Sequence, residues 1–191
     1  MAVVADREYG PEAPSMTSKL SSSRGFADLS SWRKVDVSGT QALSWLSELI
    51  AEKVTGLVPG QGLPASLRST QGPLASFTIA VAGGNVLLIQ EPSQPYFVMD
   101  LLSGEVEGSD VVLDDRTEEL ALFAFPGRAV APNAPGTAFY APSCLGVGID
   151  LVSLMEDRHF VLASLERAFT LVGQEDVETW RAATGEAGTG D

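Results

Sequence analysis

The residues of this chain that could do chemistry are few and widely separated. His159 is the only histidine and Cys144 the only cysteine, so neither a multi-histidine nor a thiolate metal site is expected. A nucleophilic cysteine needs a neighbouring base or cation to lower its pKa, and the sequence around Cys144 offers no sign of one. The paired acids at residues 114–115 and 118–119 lie between two strand-like runs, which is typical of a solvated turn. These residues predict neither a metal centre nor a catalytic nucleophile.

Two glycine-rich turns resemble phosphate-binding loops only in part. Residues 60–62 (Gly-Gln-Gly) and 146–148 (Gly-Val-Gly) lack the full glycine spacing between a strand and a helix, and no P-loop lysine follows them. Tight turns are the favoured interpretation of both. The formal net charge of −13 also argues against nucleic acid as a partner, because phosphate backbones require a concentrated Lys/Arg surface.

Composition favours one soluble domain. The chain has 191 residues, of which 45% are hydrophobic, as is normal for a globular protein. No apolar run approaches the roughly 20 residues that span a bilayer, and the N-terminus lacks the pattern of a signal peptide. With a single cysteine there is no disulfide framework. We therefore expect a cytoplasmic protein with no membrane partner.

The elements that must position any site follow from hydrophobic periodicity. Residues 1–23 are polar and rich in Ser, Pro and Ala, which predicts a disordered leader, and residues 24–188 predict one folded domain. Glycine-containing gaps between three strand-like runs indicate an antiparallel meander. The pattern predicts an α+β fold with mixed or antiparallel sheets and packed helices. We expect strands at residues 32–37, 65–70, 74–81, 86–90, 110–113, 119–125 and 148–154, helices at 40–53, 96–102, 155–171 and 175–184, and loops over most of 125–144.

Several segments, taken in order, resemble one known family. Residues 35–46 (VDVSGTQALSWL) read as a strand, a glycine and a helix, and residues 53–60 (KVTGLVPG) as a helix exit and a turn. Residues 67–90, 148–169 and 180–185 (WRAATG) continue the series. Together they are similar to the folate-binding domain of the glycine-cleavage aminomethyltransferase (T-protein) superfamily, over residues 26–188. The resemblance implies that fold, without the family's C-terminal barrel domain.

The resemblance implies a folate pocket that lacks the family's acids. The family places an aspartate just after the hairpin glycine, where residues 72–77 (GPLASF) contain no acid, and a glutamate before a later strand, where residues 145–148 (LGVG) contain none. A carboxylate can accept a proton or bind pterin N–H groups, and these residues cannot. The implied function is non-catalytic binding of tetrahydrofolate or a derivative, with no metal. If the protein were active, the expected reaction would be aminomethyl (one-carbon) transfer.

The positions that would contact such a ligand are Leu74, Ser76, Asp150 and Arg181. Arg181 could pair with a glutamyl carboxylate of folate, or it could form a structural ion pair. In an active transferase, Asp150 or Asp100 could supply the missing acid. An alternative function is a ligand-free interaction subunit, similar to the small subunit of sarcosine oxidase and bound to a protein partner. The sequence also leaves a homo-oligomer open.

Overall fold

The backbone forms ten strands and four α-helices in the part of the chain that the computed structural model describes, which is residues 20, 24–50, 52, 54–70, 72–82, 85–128, 130–140 and 143–185. The predicted leader lies outside these residues, except for Leu20, which is 1% exposed. The elements are β1 (Gly25–Asp28), β2 (Arg33–Ser38), α1 (Ala42–Leu49), β3 (Gly62–Ser69), β4 (Gly72–Ala82), β5 (Asn85–Gln90), α2 (Val98–Leu102), β6 (Val112–Asp115), β7 (Leu120–Pro126), β8 (Thr137–Tyr140), β9 (Gly148–Leu154), α3 (Arg158–Leu165), β10 (Thr170–Val172) and α4 (Gln174–Gly185).

The strands divide into two five-stranded sheets. Sheet I has the order β3-β4-β5-β2-β6, and sheet II has the order β10-β1-β7-β9-β8. Every pairing between named strands is antiparallel except that of β1 with β10. An isolated bridge between Gln61 and Tyr140 joins the two sheets beside β3 and β8. The predicted α+β class and the antiparallel meander of β3, β4 and β5 are confirmed.

Strand alternation generates three hydrophobic cores. In β5, Val86 and Leu88 face α1 and α2, whereas Leu87 and Ile89 face sheet II. In β7 the odd-numbered residues from 121 to 125 pack under α3, and Leu122 and Ala124 face sheet I. Both strands are covered on both faces, which explains why they read as continuous apolar runs. The layers are therefore helix, sheet I, sheet II and helix, and we call the middle layer of buried side chains the inter-sheet core.

Three strands differ from the sequence prediction. β1 was not predicted because four residues are too few to show a period. β8 lies in the segment that prolines marked as loop, and it forms because it pairs with β9. The predicted helix over residues 155–171 is too long, since α3 ends at Leu165 and the chain then pairs with β1 as β10. Long-range pairing decided all three. None of the described helices has the length and apolar character needed to cross a membrane.

A buried lysine lies at the crossing from sheet II to sheet I. Val35 and Val37 of β2 face α1, so Lys34 projects the other way, and it is fully buried. Its Nζ donates to the carbonyl oxygens of Ser30 at 2.8 Å and Trp32 at 2.6 Å, both in the turn between β1 and β2. Burial lowers the pKa of Lys34 to about 8, against the opposing effect of Glu118 and other nearby acids. The hydrogen bonds of Lys34 thus hold the turn that links the two sheets, whereas burial of its charge opposes folding.

Replacing Lys34 by methionine tests this role. Lys34→Met keeps the aliphatic stem but removes the donors, which leaves two buried carbonyl groups unpaired and should cost roughly 2–4 kcal/mol of unfolding free energy. Because the folded pKa lies below the unfolded value of 10.5, the unfolded chain binds more protons between these two pH values. Wild-type stability should therefore rise relative to the variant between pH 8 and 10.5, by up to roughly 3 kcal/mol.

Urea denaturation at pH 7.5, 9 and 10 measures both effects. Arg167→Met, at an exposed position, is the matched control and should change stability by less than about 0.5 kcal/mol. A Lys34→Met protein as stable as the wild type would contradict the assigned role of the ammonium group.

Candidate functional site

A cleft of about 470 Å³ opens between the two sheets. β3 and β4 form one wall, and the segment after β5 continues it. The loop before β9 and the helix α4 form the other wall, and Trp32 contributes its indole from the turn between β1 and β2. Apolar surface from Trp32, Phe77 and Ile89 alternates with hydroxyl groups and three charged side chains. Mixed apolar and polar lining of this kind is typical of small-molecule sites.

The β4 wall is held by a glutamine rather than by another strand. Pairing of β4 with β5 begins at Thr78, so the backbone of Ser76 has no partner on that side. The side chain of Gln94 fills this role, since it accepts from the Ser76 N–H at 2.8 Å and donates to the Ser76 carbonyl at 2.6 Å. Gln90, the last residue of β5, is fully buried and joins the end of that strand to α2 by accepting a hydrogen bond from the Val98 N–H at 3.0 Å. Ser76 is thereby fixed at the cleft surface.

Arg181 lies at the rim in a two-point ion pair with Glu91. Both terminal nitrogens of its guanidinium donate to the Glu91 carboxylate, and Cζ lies 6.0 Å from the centre of the Trp32 ring. The neighbouring Trp180 positions α4, because its indole N–H donates to the Leu145 carbonyl at 2.9 Å. The structural ion pair that the sequence left open is therefore formed. A bidentate pair at an exposed rim remains accessible to a competing carboxylate.

Glu52 places a second carboxylate in the cleft. It follows α1, and its two oxygens accept from the N–H and the hydroxyl of Ser66, each at 3.3 Å. These bonds are long and leave acceptor capacity, since a carboxylate has about four acceptor positions. Glu52 can therefore accept hydrogen bonds from a ligand without breaking its contact with β3.

The loop of residues 143–146 is held over a buried acid. Asp150 of β9 is 1% exposed, and its Oδ2 accepts the Cys144 N–H at 2.8 Å. Burial raises the pKa of Asp150 to about 6, although Cys144 and Ser143 oppose this shift by hydrogen bonding to the carboxylate. Burial, followed by the Asp150 charge, raises the pKa of the Cys144 thiol well above its ordinary value, so the thiol stays protonated at neutral pH.

Two glycines, Gly146 and Gly148, shape the end of this loop. Gly146 has a φ of 99°, and a Cβ at Gly148 would lie 2.4 Å from the Phe125 carbonyl of β7. Gly146 requires glycine for the tight turn that the sequence indicated, and Gly148 requires it because β7 and β9 approach each other closely.

The structure separates the four residues predicted to contact a ligand. Ser76 and Arg181 line the cleft. Leu74 instead packs, half-buried, in the core beneath α1, and Asp150 lies below the loop rather than among the lining residues. Asp100 is exposed on α2 and is not a lining residue either.

Sequence reasoning missed Glu52, Glu91 and Gln94. Each follows an element instead of lying within one, so no periodicity marks it as facing the cleft. Only the closing of the two sheets brings these residues beside Arg181.

The arrangement favours binding over covalent chemistry. Glu91 is paired with Arg181, the Cys144 thiol is protonated, and His159 is exposed on α3, outside the lining residues. Within the described ranges, no three His, Cys, Asp or Glu side chains converge in a way that could hold a metal ion. Hydroxyl groups, two carboxylates and one guanidinium can orient a polar ligand between apolar walls.

Asp150→Asn should change how stability depends on pH. The pKa of Asp150 is raised from 3.8 to about 6, so the folded state binds its proton more tightly than the unfolded chain does. As the pH rises from 4 to 6, the unfolding free energy of the wild type should fall relative to that of the variant, by up to roughly 3 kcal/mol. Above pH 6 the difference between the two proteins should stay constant. Urea titrations across pH 4–7 measure it, with Asp100→Asn as the control for removal of one exposed carboxylate. Parallel curves for wild type and Asp150→Asn would refute the assignment.

Comparison with known proteins identifies the fold. No family model and no curated protein matches the sequence. Among solved structures, glycine cleavage system aminomethyltransferase T from Bartonella henselae matches with a TM-score of 0.69 at 15% identity, over 87% of this chain and 52% of that chain. Heterotetrameric sarcosine oxidase from Corynebacterium sp. U-96, in complex with pyrrole 2-carboxylate, matches with a TM-score of 0.45 at 11% identity, over 75% of this chain and 82% of that chain.

The first match carries the structural conclusion. This chain spans about half the length of the aminomethyltransferase, with low identity and a shared arrangement of elements. The resemblance predicted from residues 26–188 is confirmed at the level of the fold, and the chain has an aminomethyltransferase T-like fold.

Proposed function

We propose that this chain binds a folate-type ligand, tetrahydrofolate or a derivative, in the cleft between the two sheets and does not catalyse one-carbon transfer. The observation that supports this most is a cleft of about 470 Å³, with aromatic walls and a rim arginine, in an aminomethyltransferase T-like fold. The volume lies within the range of small-molecule sites. The unpaired Cys144 suits a reducing cytoplasm, where we place the protein.

The lining chemistry matches the two ends of such a ligand. A reduced pterin ring carries N–H groups that can donate hydrogen bonds to the Glu52 carboxylate. The hydroxyl groups of Ser76 and Thr78 can form further hydrogen bonds with the ring. Trp32 and Phe77 offer apolar surface for the ring. Arg181 at the rim suits the glutamyl carboxylate. Asp150 acts indirectly, by holding the loop of residues 143–146.

The contacts of the acids support the proposed absence of catalysis. Proton transfer needs a carboxylate of suitable pKa within hydrogen-bond reach of the reacting nitrogen. Glu91 is paired with Arg181, and Asp150 is buried below the loop and outside the lining of the cleft. Residues 75 and 76, on the strand that faces the cleft, are alanine and serine.

Calorimetric titration with tetrahydrofolate and 5-formyltetrahydrofolate tests the proposal. We expect saturable binding by the wild type, with affinity at least tenfold lower in Arg181→Gln because one charge-assisted contact worth about 1.4 kcal/mol or more is lost. Arg167→Gln, at an exposed position outside the cleft, should bind as the wild type does. If neither folate produces heat or thermal stabilisation at millimolar concentration, folate binding is wrong and the result favours the ligand-free interaction subunit.

Glu91→Gln should strengthen binding of ligands that carry a carboxylate. The variant removes the charge that now occupies both terminal nitrogens of Arg181. A ligand carboxylate then no longer has to displace Glu91, and we expect several-fold tighter binding of 5-formyltetrahydrofolate. Tetrahydropterin, which lacks the glutamyl group, should bind equally to both proteins. Equal affinity of 5-formyltetrahydrofolate for both would show that Arg181 does not contact the ligand.

A further inference from the structure

A second cavity of about 330 Å³ lies between the two sheets, away from the cleft. The cleft contacts β4 at residues 76–78, whereas the second cavity contacts it at Ala82, roughly 15–20 Å further along the strand. On β9 the cavity contacts residues 152–154, at the end opposite the loop that lines the cleft. The two sites share no lining residue. The cavity therefore provides a separate space for a ligand.

Most of the cavity wall is apolar, with one acid on the inner face of sheet I. Leu87, Leu120, Phe139 and Val152 contribute hydrophobic surface. Asp36 is the residue of β2 between Val35 and Val37, both of which pack beneath α1, so its side chain faces sheet II. Its register partner on β5 is Leu87, a member of the inter-sheet core. A carboxylate at a core-facing position costs free energy unless it has partners.

The partners that the fold supplies offset the charge and burial of Asp36 only in part. In the described part of the chain its carboxylate accepts one side-chain hydrogen bond, from Asn85 Nδ2 at 3.0 Å. Asp114 of β6 lies directly opposite it in the β2–β6 register, and like charges in that position destabilise a sheet. The charge of Arg116 favours the Asp36 carboxylate more than that of Asp114 opposes it, and the Nε of Arg116 also forms an ion pair with Glu119 at 2.7 Å.

The rest of the lining increases the negative charge. Asp157 contributes a second carboxylate to the wall, and no described lining residue is Lys, Arg or His. In a partly desolvated space, an uncompensated carboxylate attracts a cation far more strongly than it does in water. The aromatic ring of Phe139 adds a surface that also attracts cations.

We propose that the second cavity binds a small organic cation, a protonated amine with an apolar body, and that Asp36 is its counter-ion. The ammonium group of the ligand supplies a positive charge beside the carboxylates of Asp36 and Asp114. Its apolar body fills the space between Leu87, Phe139 and Val152. A volume near 330 Å³ lies at the lower end for ligand sites and suits a molecule of modest size. Anions and large ligands are excluded by charge and by volume.

The test compares an amine with its neutral isostere. 2-Phenylethylamine is cationic at pH 7.5, and 2-phenylethanol has the same shape without the charge. In NMR titrations of the full chain, the amine should shift the amide signals of β8 and β9 saturably, and the alcohol should bind at least tenfold more weakly. Asp36→Asn keeps the size of the side chain and should weaken amine binding at least tenfold, with no effect on the alcohol.

Two further variants keep the result interpretable. Thr137→Phe, at an exposed lining position of β8, should abolish amine binding by filling the cavity, even if Asp36→Asn folds poorly. Glu91→Gln changes only the cleft and should leave amine affinity unchanged, which separates this site from the proposed folate site. No saturable shift at millimolar amine, equal binding of amine and alcohol, or an amine affinity unaffected by Asp36→Asn and Thr137→Phe would overturn the proposal.

Discussion

The fold depends on how the chain crosses from one sheet to the other between β1 and β2. Four residues make this crossing, and three of them, Leu29, Ser30 and Trp32, are buried. Their polar groups must therefore find partners within the protein. The ammonium group of Lys34 binds two of the carbonyl oxygens. Asp28 accepts the Ser30 N–H at 3.0 Å and is paired with Arg158 of α3 at 2.5 Å. The crossing thus places a polar network within an apolar layer, and its hydrogen bonds favour one arrangement of the turn.

Both candidate sites are consequences of this crossing. Trp32, at its end, forms part of the cleft wall and lies under Arg181, so the turn that Lys34 holds also shapes the proposed ligand site. Two residues after Lys34, Asp36 lies on the same face of β2 and lines the second cavity. The inner face of β2 therefore carries Lys34, which bonds the turn, and Asp36, the proposed counter-ion of a ligand. Packing of the two sheets leaves the cleft beside residues 76–78 of β4 and the second cavity beside Ala82, at the end of that strand.

The cleft illustrates how a shared fold can hold different chemistry. Its acids come from the segments after α1 and after β5, and not from the hairpin strand where the resemblance would place one. Two of its three charged side chains neutralise each other, which lowers the cost of bringing them close to an apolar ligand. The protonated thiol of Cys144 and the buried Asp150 support a wall rather than a reaction. This distribution supports the proposal of binding without group transfer.

Local sequence patterns were enough to predict the elements whose side chains alternate strongly. The α1 stripe, the meander of β3 to β5 and the strands β7 and β9 follow from local periodicity, because each must bury a face of fixed spacing. The strands β1, β8 and β10 could not be predicted locally, since such short strands form through their long-range partners. It also placed Glu52 and Glu91 in the cleft and Leu74 and Asp150 outside its lining. The convergence of side chains depends on how the sheets close over each other, and residues far apart in sequence carry no local sign of it.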